Sequence, residues 1–199
     1  MNQGWGRINI SNSLQPEGGN MTFIDDKEGL GTGNNVTSSF QVKGSDSDLR
    51  ITLAYSDYPG ALYASRELVN DLDLILTAPN GTQYNGNDWF SPHNDTFDRT
   101  NPVEGITIQS PAVGTWMLTI KAYNVPMGPQ HFAVAASGDI SNLSSFITMD
   151  SYYYSTEGDP IIVKVVDEEL IGNGSVTVNL NSTSDPKGIN LTLNEIGSS

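Results

Sequence analysis

Asp71 and Asp73 stand two residues apart in "LVNDLDLILTAPNGTQYNGND", residues 68–88, a run that also holds Asp88 and several other oxygen-bearing side chains. Such carboxylates serve as an acid–base pair, as ligands for a hard cation, or as the wet face of a strand. A glycosidase needs its two carboxyls to face each other across about 5 to 9 Å. Residues i and i+2 of a strand point the same way with Cα atoms about 6.6 Å apart, so nothing opposite them could hold a sugar. Leu72, Leu74 and Leu76 take the alternate positions and are expected to face the core, which puts both aspartates on the outer face. Solvated carboxylates and a metal site both stay open.

Asp57 in "YSDYPG" and the run "NGNDWFSPHNDTFDRTN" add Asn85, Asn87, Asp88, Asn94, Asp95, Asp98 and Asn101. Like charges at that density in neighbouring loops repel unless a cation gathers them, and oxygen ligands suit Ca²⁺. The EF-hand pattern is absent, so a calcium site here would be assembled from loops distant in sequence. A Ser/His/Asp triad has only His93 and His131 to draw on. His131 begins an apolar strand, and no GxSxG motif is present. No His/Cys pair has zinc-ligand spacing. The Gly-rich "GLGTGNN" lacks the Lys-Ser/Thr of a phosphate loop and reads as a flexible connection.

The elements that must position these residues are short strands. "MTFI", "VTSSFQV", "LRITLAY", "LDLILTA", "GITIQ", "TWMLTIKAY" and "HFAVAA" alternate apolar with polar residues, as Ile51, Leu53 and Tyr55 or Trp116, Leu118 and Ile120 show. Turn-forming clusters such as "APNGT" and "SPAVGT" separate them. Twenty Gly and ten Pro agree with many turns. The pattern predicts an all-β protein, a jelly-roll β-sandwich over residues 21–138. Residues 1–20 read as a tail of something upstream, and 139–145 as a polar linker. A second set, "FITMD", "PIIVKVVD", "SVTVNLN" and "GINLTLN", supplies four strands in 146–199. An immunoglobulin-like sandwich needs about seven, so this module is expected to be partial.

Nine basic against twenty-three acidic residues give a net charge of −14. Such a surface repels phosphate backbones and anionic lipid, which excludes nucleic acid as an expected partner. No apolar run reaches the length of a membrane span. With no cysteine, stapling falls to packing or metal. Asn-X-Ser/Thr occurs at Asn20, Asn35, Asn80, Asn94, Asn142, Asn173, Asn181 and Asn190, an excess that leans towards an extracellular or cell-surface protein.

"QGWGRINISNSL", "LRITLAYSDYPG", "LVNDLDLILTAPNGTQYNGND" and "NDTFDRTNPVEGITIQSPAVGTWMLTIKAYNVPMGPQHFAVAASG" follow one another in register. In that order they resemble the end of a subtilisin-like serine protease and its C-terminal jelly roll, the branch similar to the P-domain of proprotein convertases. The resemblance covers residues 1 to about 138. It implies that "GWGR", Gly4 to Arg7, follows the helix bearing the nucleophilic serine, so the catalytic residues lie upstream and this chain holds none. It further implies Ca²⁺ held by Asp57, Asp71, Asp73, Asp88 and Asp98, with Asn70, Asn87 and Asp95 as lesser candidates. The implied partner is the upstream catalytic protease domain of the same polypeptide.

Residues 146–199 resemble the first part of a β-sandwich repeat of prokaryotic surface proteins, through "GD", "VVDEEL", "GNGSVTV" and "STSDPKG". The expected function is that of a non-catalytic, calcium-stabilised clamp on a secreted endopeptidase. The alternatives are an adhesion or glycan-binding module, in which Trp89 and Phe90 would stack on a sugar, and a structural spacer of a surface layer.

Overall fold

The computed structural model describes residues 10, 19–88, 96–141, 145–149, 163–167, 174–180 and 187–195. Their regular structure is antiparallel β, as the alternation predicted. The first eight strands are β1 (Asn20–Leu30), β2 (Asn35–Val42), β3 (Leu49–Ala54), β4 (Asp71–Thr77), β5 (Gln83–Asn85), β6 (Val103–Ile108), β7 (Gly114–Asn124) and β8 (Gln130–Gly138). Four more follow: β9 (Ser145–Met149), β10 (Val163–Asp167), β11 (Ser175–Leu180) and β12 (Ile189–Asn194).

One sheet runs β1-β8-β3-β6 and a second β10-β9-β2-β7-β4-β5, while β11 and β12 pair by themselves. Apart from β4–β5 and β9–β10, strands adjacent in these two sheets are not consecutive in the chain, the crossing pattern of a jelly-roll-like sandwich. The core lies between the two larger sheets. Ile51 and Leu53 of β3 with Phe132, Val134 and Ala136 of β8 fill one side. Leu72, Leu74 and Leu76 of β4 with Trp116, Leu118 and Ile120 of β7 fill the other. Alternation makes this possible because every second side chain of a strand points to the same face, and each buried leucine contributes roughly 1.5 to 3 kcal/mol. Trp116 also meets its polar demand by donating Nε1–H to the carbonyl of Ala112 at 2.8 Å.

Two features depart from simple alternation. β4 is buried on both faces over Asp71–Leu74, whereas β3 and β8 alternate buried and exposed. β9, in the stretch expected to open the second module, is laid against β2, from Asn35 opposite Met149 to Ser39 opposite Ser145. The six-stranded sheet therefore continues across the expected linker. After the turn the chain pairs back on β4 only through β5, whose three residues are too few to show a period in the sequence. The turn before it is conventional. Gly81 adopts φ +86°, which glycine takes without steric cost, and donates its N–H to the Ala78 carbonyl.

Candidate functional site

The site forms where β4 begins. Asn70, the residue before it, is buried and holds the β7–β8 connection. Its Nδ2 donates to the Met127 carbonyl at 3.0 Å and to Gln130 Oε1 at 2.8 Å, while its Oδ1 accepts the Met127 N–H. Gln130 in turn donates to the carbonyls of Ser56 and His131. Tyr55 donates its hydroxyl to the Asn70 carbonyl and accepts the Leu72 N–H. Burial pushes that phenol well above its ordinary pKa, which keeps it a donor.

Asp57 closes the long β3–β4 loop. Its Oδ1 accepts the N–H groups of Tyr58 and Asn70, and its Oδ2 accepts that of Val69. Three backbone donors on one carboxylate are charge-assisted bonds, each stronger than a neutral pair.

Asp71 and Asp73 lie opposite the core leucines, as their spacing requires, yet each is only 1% exposed. The expectation of a wet outer face fails because arginines cover it. Arg66 Nη2 lies 2.5 Å from Asp71 Oδ2. Arg99 Nη1 lies 3.0 Å from Asp71 Oδ1 and also bonds Asp73 Oδ1, with Nη2 3.3 Å from Asp73 Oδ2. Behind it, the Arg99 guanidinium sits 3.7 Å from the centroid of Tyr123 and 5.0 Å from that of Phe97. Burial raises the pKa of Asp73, and Arg99 offsets only part of that rise. Burial works to lower the Arg99 pKa, but the Asp73 and Asp71 carboxylates outweigh it and the net shift is upward.

A second set is built from "GND", residues 86–88, and "DRTN", residues 98–101. Asp98 Oδ2 accepts Nδ2 of Asn87 at 2.7 Å and of Asn101 at 2.6 Å, while Oδ1 accepts the N–H groups of Thr100 and Asn101. Burial opposes ionisation of Asp98, but these bonds prevail and hold its pKa below the ordinary value. Asn87, at φ +60°, also donates Nδ2 to the Val103 carbonyl and accepts the Gly105 N–H on Oδ1, which ties the turn after β5 to β6.

Glu104 reaches from β6 into the interior between the sheets. Its Oε2 accepts the Leu74 N–H at 2.7 Å and its Oε1 has no hydrogen-bond partner. Burial pushes its pKa up to about 8, with Asp73, Asp98 and Asp71 adding to the rise. Gly86 lies so close to this carboxyl that a Cβ there would collide with it.

Of the five predicted ligands, the structure brings Asp71 and Asp73 together, with Asp57 bonded to the backbone of Val69 and Asn70 just before them, while Asp98 sits in a hydrogen-bonded set with Asn87 and Asn101. Asp88 lines a small cavity of about 80 Å³ with Tyr84, Asn85 and Gly105–Ile108. Among the described residues no three acidic or histidine side chains are placed to share an ion. As placed, with the oxygens of Asp57, Asp71, Asp73 and Asp98 facing N–H donors and Asp88 apart from them on its cavity, the five do not fit one calcium. Asp95, His93, Asn94, Trp89 and Phe90 lie outside the described residues, as does the "GWGR" stretch. His131 is exposed on β8.

Reading for carboxylates missed Arg66, Arg99, Glu104 and Gln130. A usable signal was present, since a chain with only nine basic residues carries Arg66 and Arg99 on either side of the run that holds Asp71, Asp73 and Asp88.

No protein-family model matches the chain, and none of the curated proteins compared with it is similar enough to count as a match. Among solved structures it is similar to the Bacillus licheniformis lipase BlEst2 in propeptide form, at 12% identity and a TM-score of 0.35. That likeness covers 87% of this chain and 40% of the other, and at such a score it carries no argument about fold or function.

Proposed function

We propose that this chain is a non-catalytic C-terminal region of a secreted subtilisin-like serine endopeptidase, a β-sandwich clamp that stabilises the protease to which it is joined. One observation supports the reading above others. The separate motifs through which the chain resembles that family are bonded to one another in a single cluster. Asp57 of "SDYPG" binds the backbone of "LVNDLD", Arg99 of "DRTN" binds Asp71 and Asp73, and Asn70 binds Gln130 of "GPQHF". Residues that meet in this way form one rigid unit, which is what a clamp requires.

Calcium enters this reading through the resemblance. Because Arg99 holds the oxygens of Asp71 and Asp73, an ion taking both carboxylates displaces its guanidinium, and it stabilises the fold only by more than the arginine contact it replaces.

The deciding experiment joins the catalytic domain encoded upstream to these 199 residues and follows proteolytic activity at raised temperature. The joined enzyme is expected to outlive the catalytic domain alone. Equal half-lives remove the clamp, and an upstream frame made of β-repeats with no protease removes the whole reading.

A further inference from the structure

We propose that Asn80, in the turn between β4 and β5, is an acceptor for an N-linked glycan. The inference rests on the export part of the proposed function, because this modification belongs to chains leaving the cell.

Of the Asn-X-Ser/Thr triplets in the chain, those at Asn20, Asn35, Asn80 and Asn190 have their asparagine among the described residues. Three of these four are engaged. Asn20 donates Nδ2 to the Ile140 carbonyl at 3.0 Å. Asn35 is half-buried in β2, with β7 on one side and β9 on the other, and the Thr37 hydroxyl of its triplet meets that of Thr119 at 3.0 Å. Asn190 is bonded through its Oδ1 to Asn179 Nδ2 at 2.8 Å across the β11–β12 pair.

Asn80 differs in each respect. It is exposed, as are Pro79, Gly81, Thr82 and Gln83 around it. Its Oδ1 accepts the Thr82 N–H at 3.0 Å, which orients the amide, and its Nδ2 makes no hydrogen bond among the described residues. A Cβ built on Gly81 meets nothing within 4 Å, so the turn has open space for a bulky group. The seven residues of β4 carry the turn about 20 Å from Asp71, so a glycan there leaves the carboxylate–arginine cluster uncovered.

The step balances with an oligosaccharide carried on a polyprenyl phosphate. A bond forms between Asn80 Nδ2 and the anomeric carbon, and the bond from that carbon to the phosphate oxygen breaks. The bonding pair leaves with the phosphate, and Nδ2 loses one proton to the transferase's base. No oxidant or reductant is involved.

The test sends the full 199-residue chain, behind a secretion leader, through a host with an N-glycosylating secretory pathway. The peptide containing Asn80 is then weighed before and after glycan release. Wild type and Thr82→Ser are expected to carry sugar there, while Asn80→Gln and Thr82→Ala lose it. Thr82→Ala keeps the backbone N–H that holds Oδ1, so it isolates the hydroxyl. Folded, secreted protein with Asn80 unmodified, or converted only to aspartate without sugar, overturns this inference and leaves the protease reading intact.

Discussion

The Arg99 guanidinium is stacked 3.7 Å from the ring centroid of Tyr123 while it bonds Asp73 on the neighbouring strand. One cation thereby satisfies a buried carboxylate pair and an aromatic face together. Tyr123 belongs to β7 and Asp73 to β4, so the contact depends on the pairing of those two strands, in which Asp73 lies opposite Lys121.

Removing Arg99 leaves Asp73 buried and largely unpaired. Arg99→Ala is expected to cost about 3 kcal/mol, the usual penalty for one partner of a buried pair. Arg99→Lys should recover only part of it, because an ammonium cannot bond two carboxylates through a planar fork. Denaturant unfolding of the two variants checks this. A loss in Arg99→Ala no greater than that of an exposed surface substitution refutes the ion-pair account.

Asp57→Ala is expected to destabilise by roughly 1 to 3 kcal/mol, since two buried or half-buried backbone donors, of Val69 and Asn70, lose their acceptor. Asp57→Asn should cost less, keeping one acceptor oxygen. Hydrogen exchange at Val69 and Asn70 is the direct readout, with faster exchange expected in Asp57→Ala and the β7 amides unchanged.

Glu104 makes stability fall as pH rises. Its folded pKa of about 8 lies above the ordinary 4.5, so the native state holds a proton that the unfolded chain has released. Stability is therefore fully present below about pH 4.5 and is lost progressively up to about pH 8. Asp73, also raised, acts in the same direction, whereas Asp98, lowered, contributes stability that is lost only in acid. Melting temperatures measured from about pH 4.5 to about pH 8 should decline more steeply for wild type than for Glu104→Gln. Parallel curves would show that Glu104 is not the group responsible.

Calcium is expected to raise the melting temperature of the chain relative to chelator, by an amount equivalent to about 2.7 kcal/mol at a hundredfold excess over its dissociation constant. Asp71→Asn combined with Asp73→Asn should abolish most of that gain. Superimposable melting curves with calcium and with chelator take the metal out of the proposed function.

Ending the chain after Ser141 removes β9 and leaves the outer edge of β2 unpaired along Asn35–Ser39. Open strand edges invite pairing with other chains. The truncated form is expected to self-associate in sedimentation more than the full chain. A monomeric truncation of unchanged stability would show that β9 contributes nothing to the sheet.

Most of the strands, the turns between them and the apolar core were legible in the sequence because they follow from local geometry. A strand repeats every two residues, so Leu72, Leu74 and Leu76 announce one face and Asp71 and Asp73 the other without reference to anything else. Tertiary structure alone decided what lies over that other face. Arg99 arrives from 26 residues away, Glu104 crosses from the opposite sheet to the Leu74 N–H, and β9 returns to β2. Each of these depends on strand register and loop path, which no local period encodes. Hence the sequence by itself determined where the carboxylates stand, and the folded chain determined that arginine, rather than water, meets them.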